Sequence, residues 1–69
     1  MPIRAWLVSV NANLGKYAEA FASYGYEDTD LLRDADEDEL VEAFDELGVR
    51  AKPHRKRILL AFKLLKGGD

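Results

Sequence analysis

Residues 52–59, "KPHRKRIL", place the only histidine of the chain, His54, next to three consecutive basic residues. An imidazole can transfer protons near neutral pH, whereas a basic cluster can bind phosphates or acidic protein surfaces. Proton transfer requires partner groups that hold the imidazole in a concave and partly dry site. Because a domain this small has little room for such a site, we expect His54 to pack or cap at the start of a helix. We do not expect an enzyme.

Cofactor chemistry finds little support in the composition. The chain of 69 residues has no cysteine and one histidine, which excludes disulfides and thiolate metal sites and disfavours structural zinc. We therefore predict no catalytic, metal or cofactor site. A single domain of this size buries only about 60% of the surface of its unfolded chain, so stability must come from well-packed helices or self-association.

Charge is strongly segregated along the chain. Residues 17–49 contain twelve acids and one base, whereas residues 50–66 contain seven bases and no acid. The net charge of the whole chain is only −3. The acids are Glu19, Glu27, Asp28, Asp30, Asp34, Asp36, Glu37, Asp38, Glu39, Glu42, Asp45 and Glu46, and the bases are Arg50, Lys52, Arg55, Lys56, Arg57, Lys63 and Lys66. Whether the two blocks are also separated in space depends on the fold.

Apolar residues recur at helical spacing, and no segment alternates as a strand would. The first predicted helix begins at Pro2 and buries Ile3, Trp6, Leu7 and Val10. The second is capped by Asn11 or Asn13, buries Leu14, Tyr17, Ala18 and Phe21, and ends at Gly25. A single-turn helix follows, capped by Asp28 or Thr29, with Leu31 and Leu32 buried.

The fourth predicted helix starts with a capping box of Asp36 and Glu39, buries Leu40, Val41, Phe44 and Leu47, and ends at Gly48. The last begins at Pro53, runs to about Leu65, and buries Ile58, Leu59, Phe62 and Leu65. We therefore predict an all-α, compact five-helix bundle with a longer C-terminal helix. It forms one domain over residues 1–66, followed by a flexible tail at residues 67–69.

Six short motifs stand in one order along residues 4–65. They are "WL" (6–7), "NLGKYAEAF" (13–21), "YGYEDTDLL" (24–32), "EDEL" (37–40), "LGV" (47–49) and "HRKRIL" (54–59). This order resembles the sterile alpha motif (SAM) domain family. The chain departs from the usual pattern at Pro53, where the family has glycine, and in the segment after "EDEL", which is about one helical turn longer.

The resemblance implies a protein–protein interaction module that uses two surfaces, one in the middle of the domain and one at the start of the last helix. We expect head-to-tail self-association into an oligomer or polymer, with hetero-association with another SAM domain as the alternative. The expected acidic mid-loop surface comprises Glu27, Asp28, Asp30, Asp36, Asp38 and Glu39. The expected basic end-helix surface comprises Arg50, Lys52, His54, Arg55, Lys56 and Arg57.

Two further partners remain as weaker alternatives. A minority of SAM domains bind an RNA hairpin through the basic start of the last helix, but the acidic block would repel phosphates. The segment "RILLAFKLLK" is amphipathic and basic, as lipid-binding helices are, yet its apolar face is more simply the core. Nucleic acid and membrane are therefore disfavoured as partners. The absence of cysteine and of a targeting segment predicts an intracellular, cytoplasmic location.

Overall fold

The computed structural model describes residues 1–67 as five α-helices and one 3₁₀ helix. The elements are α1 (Ile3–Val10), the 3₁₀ helix (Ala12–Tyr17), α2 (Ala18–Tyr24), α3 (Thr29–Arg33), α4 (Glu37–Leu47) and α5 (Lys52–Gly67). The predicted all-α bundle is confirmed, and its last helix is the longest, with 16 residues. The second predicted helix begins as a 3₁₀ helix. Gly67, expected in the tail, belongs to α5, and residues 68–69 lie outside the described part of the chain.

Short polar side chains start three of the helices. An Asn11 carboxamide oxygen accepts a hydrogen bond from the backbone N–H of Asn13 at 2.9 Å, which starts the 3₁₀ helix. Asp28 accepts from Leu31 at 3.0 Å and starts α3, and Asp36 accepts from Glu39 at 2.8 Å and starts α4. Each bond satisfies a backbone donor that the first helical turn leaves free.

The predicted capping box at α4 is only half formed. Asp36 caps the helix, but the carboxylate of Glu39 does not return a bond to the backbone of Asp36. It accepts instead from the hydroxyl of Tyr26, at 2.8 Å. The expectation of a reciprocal box was therefore wrong, because a tertiary partner takes the Glu39 side chain.

Glycines terminate α2 and α4 by the same device. Gly25 has φ 120° and Gly48 has φ 77°, in the region that side chains with a Cβ atom disfavour. After Gly48, the N–H of Val49 reaches back to the carbonyl of Phe44 at 3.0 Å, as expected for a Schellman motif. The turn at Gly48 thereby buries Val49 and directs the chain toward α5.

One apolar core joins all of the helices. It centres on Phe21, Phe44 and Phe62, each at most 1% exposed, with Leu7, Leu14, Leu32, Leu40 and Ile58 around them. Two residues expected in this core lie outside it, since Leu31 is 43% exposed and Val41 is 42% exposed. On α4 the smaller Ala43 takes the buried position, and Leu59 and Leu65 on α5 are only partly buried.

Helices α4 and α5 run antiparallel. At one end Asp45 pairs with Arg55 at 2.9 Å, and at the other Glu37 lies 3.6 Å from Lys63. The ammonium group of Lys66 donates to the carbonyl of Ala35, in the connection between α3 and α4. A 16-residue helix is about 24 Å long, so α5 crosses nearly the whole molecule, whose longest extent is 28 Å.

Two candidate interaction surfaces

The acidic mid-loop surface lies around the connection between α2 and α3 and the first turns of α3 and α4. Tyr26 joins its two parts, because the residue adjoins Glu27 in sequence and its hydroxyl donates to Glu39 on α4. The Tyr26 ring also packs against Tyr24, with the ring centroids 5.2 Å apart. The six carboxylates predicted from the sequence are thus distributed over two helix starts that a tertiary contact holds together.

Three of these six carboxylates are engaged inside the domain. Asp28 and Asp36 cap helices, and Glu39 accepts from Tyr26. The other three, Glu27, Asp30 and Asp38, are exposed and make no side-chain hydrogen bond or salt bridge within residues 1–67. They are the acids of this surface that can pair with a partner without breaking an internal contact.

Tyr26 is buried although its hydroxyl meets a carboxylate. Burial, together with the hydrogen bond to Glu39 and the negative charge of that carboxylate, raises the pKa of Tyr26 well above its ordinary value. The phenol is therefore held in its neutral, proton-donating form. This contact fixes the start of α4 against the loop that precedes α3.

The basic end-helix surface occupies the α4–α5 connection and the first two turns of α5. Within it, Arg55 is committed to the fold. Its Nε donates to the carbonyl of Val49 at 2.6 Å, its Nη2 donates to Asp45 at 2.9 Å, and its guanidinium lies 5.4 Å from the centroid of the Phe44 ring. Arg55 therefore attaches the start of α5 to the end of α4.

His54 is half-buried against Tyr17. The Nδ1 atom of His54 and the hydroxyl of Tyr17 are 2.6 Å apart, and the two rings meet edge to face with centroids separated by 5.5 Å. This pair connects the end of the 3₁₀ helix to the first turn of α5. His54 thus positions the basic surface and has the packing role that the sequence predicts for it.

The remaining cations of the surface are Arg50, Lys52, Lys56 and Arg57, all exposed and without an ion pair among residues 1–67. They stand at or near the first turn of a helix, where the macrodipole already carries positive partial charge. Their arrangement does not stabilise α5 locally, and an anionic partner would offset the repulsion.

The two surfaces lie at opposite ends of α5. Arg55 ties the basic surface to the end of α4, whereas Lys66 lies eleven residues later beside Ala35, next to the capping residue of α4. Eleven residues of helix span about 16 Å. The two surfaces are therefore separated in space, although Asp45 of the acidic block lies at the basic end and Lys63 and Lys66 of the basic block lie at the acidic end.

Three residues outside the predicted sites support them. Tyr17, Tyr26 and Asp45 bind His54, Glu39 and Arg55, respectively. The sequence predicted a core position for Tyr17 and a solvated position for Asp45, and the residues around them did not indicate these long-range partners. Only Tyr26, beside a turn glycine, carried a signal, since a tyrosine there can serve either packing or contact.

The family model for the SAM domain (Sterile alpha motif) matches residues 3–66, nearly the whole chain. Neither the search of curated proteins nor that of solved structures gave a significant match. Within the described residues, no helix has the length and apolar character needed to cross a membrane. With its five-helix architecture and this match, the chain belongs to the sterile alpha motif domain family, whose members are in general protein–protein interaction modules.

Proposed function

We propose that the chain self-associates head-to-tail, the acidic mid-loop surface of one copy binding the basic end-helix surface of the next. The observation that carries this proposal is the separation of the two surfaces by most of the length of α5. Copies bound at both ends would form an open oligomer or a helical polymer. Hetero-association with another SAM domain would use the same surfaces one at a time.

The arrangement of charge favours a contact between unlike surfaces. A two-fold symmetric dimer built on either surface alone would oppose charges of one sign. A contact between the acidic and the basic surface avoids this repulsion, and because the surfaces are distinct it can propagate. Charge complementarity of this kind mainly steers and orients the encounter, with less effect on affinity.

The side chains best suited to the contact are those without internal partners. On the acidic side these are Glu27, Asp30 and Asp38, and on the basic side Arg50, Lys52, Lys56 and Arg57. We assign Asp28, Asp36, Glu39, His54 and Arg55 to shaping the two surfaces, because each is engaged within the domain.

Charge reversal on one side tests the proposal. Asp30→Lys and Lys56→Glu each change an exposed side chain that makes no internal bond, so both variants should fold like the parent chain. Sedimentation velocity over a concentration series at low salt should show species larger than a dimer for the parent. Each variant alone should remain monomeric, and high salt should dissolve the parent assemblies.

Mixing the two variants supplies the internal control. Each retains one intact surface, so an equimolar mixture should form a dimer and nothing larger. Glu46→Lys, which makes the same change of charge on α4 outside the acidic mid-loop surface, should assemble like the parent. If Asp30→Lys and Lys56→Glu both assemble like the parent, the proposed surfaces are wrong. If the parent itself stays monomeric at every concentration, self-association is wrong.

A further inference from the structure

A second feature of α5 is an apolar groove next to the basic end-helix surface, with which it shares Arg57. The groove has a volume of about 360 Å³ and is lined by Val10 from the end of α1 and by Arg57, Leu60, Ala61 and Leu64 from α5. Leu60 is 52% exposed and Leu64 is 77% exposed, far more than the leucines of the core. Two neighbouring leucines on one helix face therefore remain in solvent.

The charged residues of α5 that surround Leu60 are all cations. On a helix, the surface neighbours of a residue lie three and four positions away. For Leu60 these neighbours are Lys56, Arg57, Lys63 and Leu64, three cations and the second exposed leucine. All three cations are exposed, and of them only Lys63 has an ion-pair partner within residues 1–67, Glu37, at 3.6 Å.

We propose that this groove binds an acidic amphipathic helix of another protein. Two apolar side chains about one turn apart on that helix would insert between Val10 and the Leu60–Leu64 pair, and flanking glutamates or aspartates would meet Lys56, Arg57 and Lys63. This is the helix-in-groove mode, in which apolar anchors supply affinity and the charged borders select the partner. The proposed site shares Lys56 and Arg57 with the basic end-helix surface, but its apolar residues Val10, Leu60 and Leu64 belong to neither surface, so the proposal does not require head-to-tail assembly.

A second copy of the chain fits the groove poorly when it uses the same face. Residues 50–66 contain seven bases and no acid, so a symmetric contact between two α5 helices would place cations opposite cations. Complementary charge therefore requires an acidic occupant.

A membrane surface is also disfavoured. The site is concave, with Val10 of α1 as part of its lining, which suits an inserted side chain better than a flat lipid surface. Two exposed leucines with a half-buried valine give a small apolar area, whereas interfacial helices insert a continuous apolar face. The acidic block elsewhere in the domain would in addition be repelled by anionic lipids.

The test uses a fluorescein-labelled, stapled helical peptide with two leucines four residues apart and glutamates on both sides of them. Binding is measured by fluorescence anisotropy, and the site by amide chemical-shift changes, on the Asp30→Lys variant so that self-association does not compete. We expect saturable binding, with shifts at Val10, Leu60, Ala61 and Leu64. Leu64→Ser should weaken it about tenfold, the value of burying most of one leucine side chain.

Matched controls separate the groove from charge alone. Leu31→Ser, which removes an equally apolar exposed leucine on α3, should leave binding unchanged. A peptide with serines in place of its leucines, and one with lysines in place of its glutamates, should each bind much more weakly. Unchanged binding in Leu64→Ser would overturn the proposal, and so would shifts confined to residues 50–56.

Two further outcomes identify other occupants. Co-flotation of the protein with phosphatidylserine-containing vesicles, lost in Leu64→Ser, together with no peptide binding would assign the leucines to a lipid surface. Dimers of the Asp30→Lys variant that dissociate on Leu64→Ser would assign them to a second copy. Either result would refute the peptide proposal while leaving the head-to-tail model to its own test.

Discussion

At the scale of single residues, the bond between Tyr26 and Glu39 sets the geometry of the acidic mid-loop surface. This bond is one of the few side-chain contacts that join residues far apart in sequence. The pKa of the Tyr26 phenol is raised. When the pKa of a phenol is higher in the folded than in the unfolded state, its contribution to stability is fully present at pH values below the unfolded-state pKa. The contribution is lost as the pH rises above that value, because the unfolded chain then releases the proton first.

We therefore predict that the stability difference between the parent and Tyr26→Phe depends on pH. Near neutral pH, Tyr26→Phe should lower the free energy of unfolding by about 1–2 kcal/mol through loss of a hydrogen bond to a charged acceptor. The difference should shrink as the pH rises beyond 10.0, the ordinary value for tyrosine. Urea unfolding of both proteins across this range measures it.

A companion variant isolates the position of the hydroxyl group. Tyr24→Phe removes a phenol from an exposed ring that packs on Tyr26, so its stability should match that of the parent. A constant difference between Tyr26→Phe and the parent at all pH values would mean that the phenol does not deprotonate on unfolding as described.

Arg55, expected at the basic end-helix surface, also makes contacts that stabilise the fold. Arg55→Lys keeps the positive charge but loses the fork that reaches Val49 and Asp45 at once. We expect the free energy of unfolding to fall by about 1–2 kcal/mol, measured by chemical denaturation. We expect assembly of the folded protein to be retained.

The comparison with Lys56 distinguishes the two roles. Lys56→Glu should give the reverse pattern, with parental stability and lost assembly. If Arg55→Lys abolished assembly at unchanged stability, Arg55 would have to be returned to the group of direct contact residues.

At the scale of elements, helix starts were more predictable than helix faces. Asp28, Asp36 and Asn11 cap helices as short-range hydrogen-bonding rules indicate. Of the alternative caps predicted from the sequence, one hydrogen bond identifies Asn11 and another identifies Asp28 as the capping residue. Capping depends on residues two or three positions apart, so local sequence carries the information. The 3₁₀ start of the second helix had no such signal.

The faces of α3 and α4 could not be assigned from hydrophobicity alone. Val41 was expected in the core and Ala43 was not, yet Val41 is exposed and Ala43 is buried. On a helix, both positions can lie on the same face as Leu40, Phe44 and Leu47. Which of the two is buried depends on how closely the neighbouring elements pack against α4, and the sequence does not show this. Similarly, only one of the two adjacent leucines of α3 can face inward in a five-residue helix.

The turn between α4 and α5 depends on Gly48. Its positive φ is unfavourable for a residue with a Cβ atom, while no atom would obstruct the Cβ itself. Gly48→Ala should therefore lower the free energy of unfolding by about 1–2 kcal/mol through backbone strain alone, measured by thermal or chemical unfolding. Gly48→Asn should cost less, because asparagine tolerates this conformation better. Equal stability of the parent and Gly48→Ala would show that the turn relaxes without cost.

At the scale of the whole molecule, the sequence shows two charge blocks but not where they lie. Because α4 packs antiparallel to α5, Asp45, which belongs to the acidic block, lies beside Arg55 at the basic end. What keeps the two surfaces apart is the length of α5, which was predictable from its apolar periodicity and lack of breakers. The long-range contacts of Tyr17, Tyr26 and Lys66 that orient the surfaces could not be predicted, because they join distant parts of the chain.

The course of the chain has a consequence for any protein fused to this domain. The carbonyl of Met1 accepts a hydrogen bond from Thr29, and Lys66, one residue before the last described position, reaches Ala35. Both termini of the described chain thus lie on the acidic side. A fluorescent protein or affinity tag attached at either terminus would crowd that side and leave the basic side open. In a head-to-tail assembly such a fusion would join one end of a growing filament and stop further addition there, so tagged copies would shorten filaments in proportion to their share.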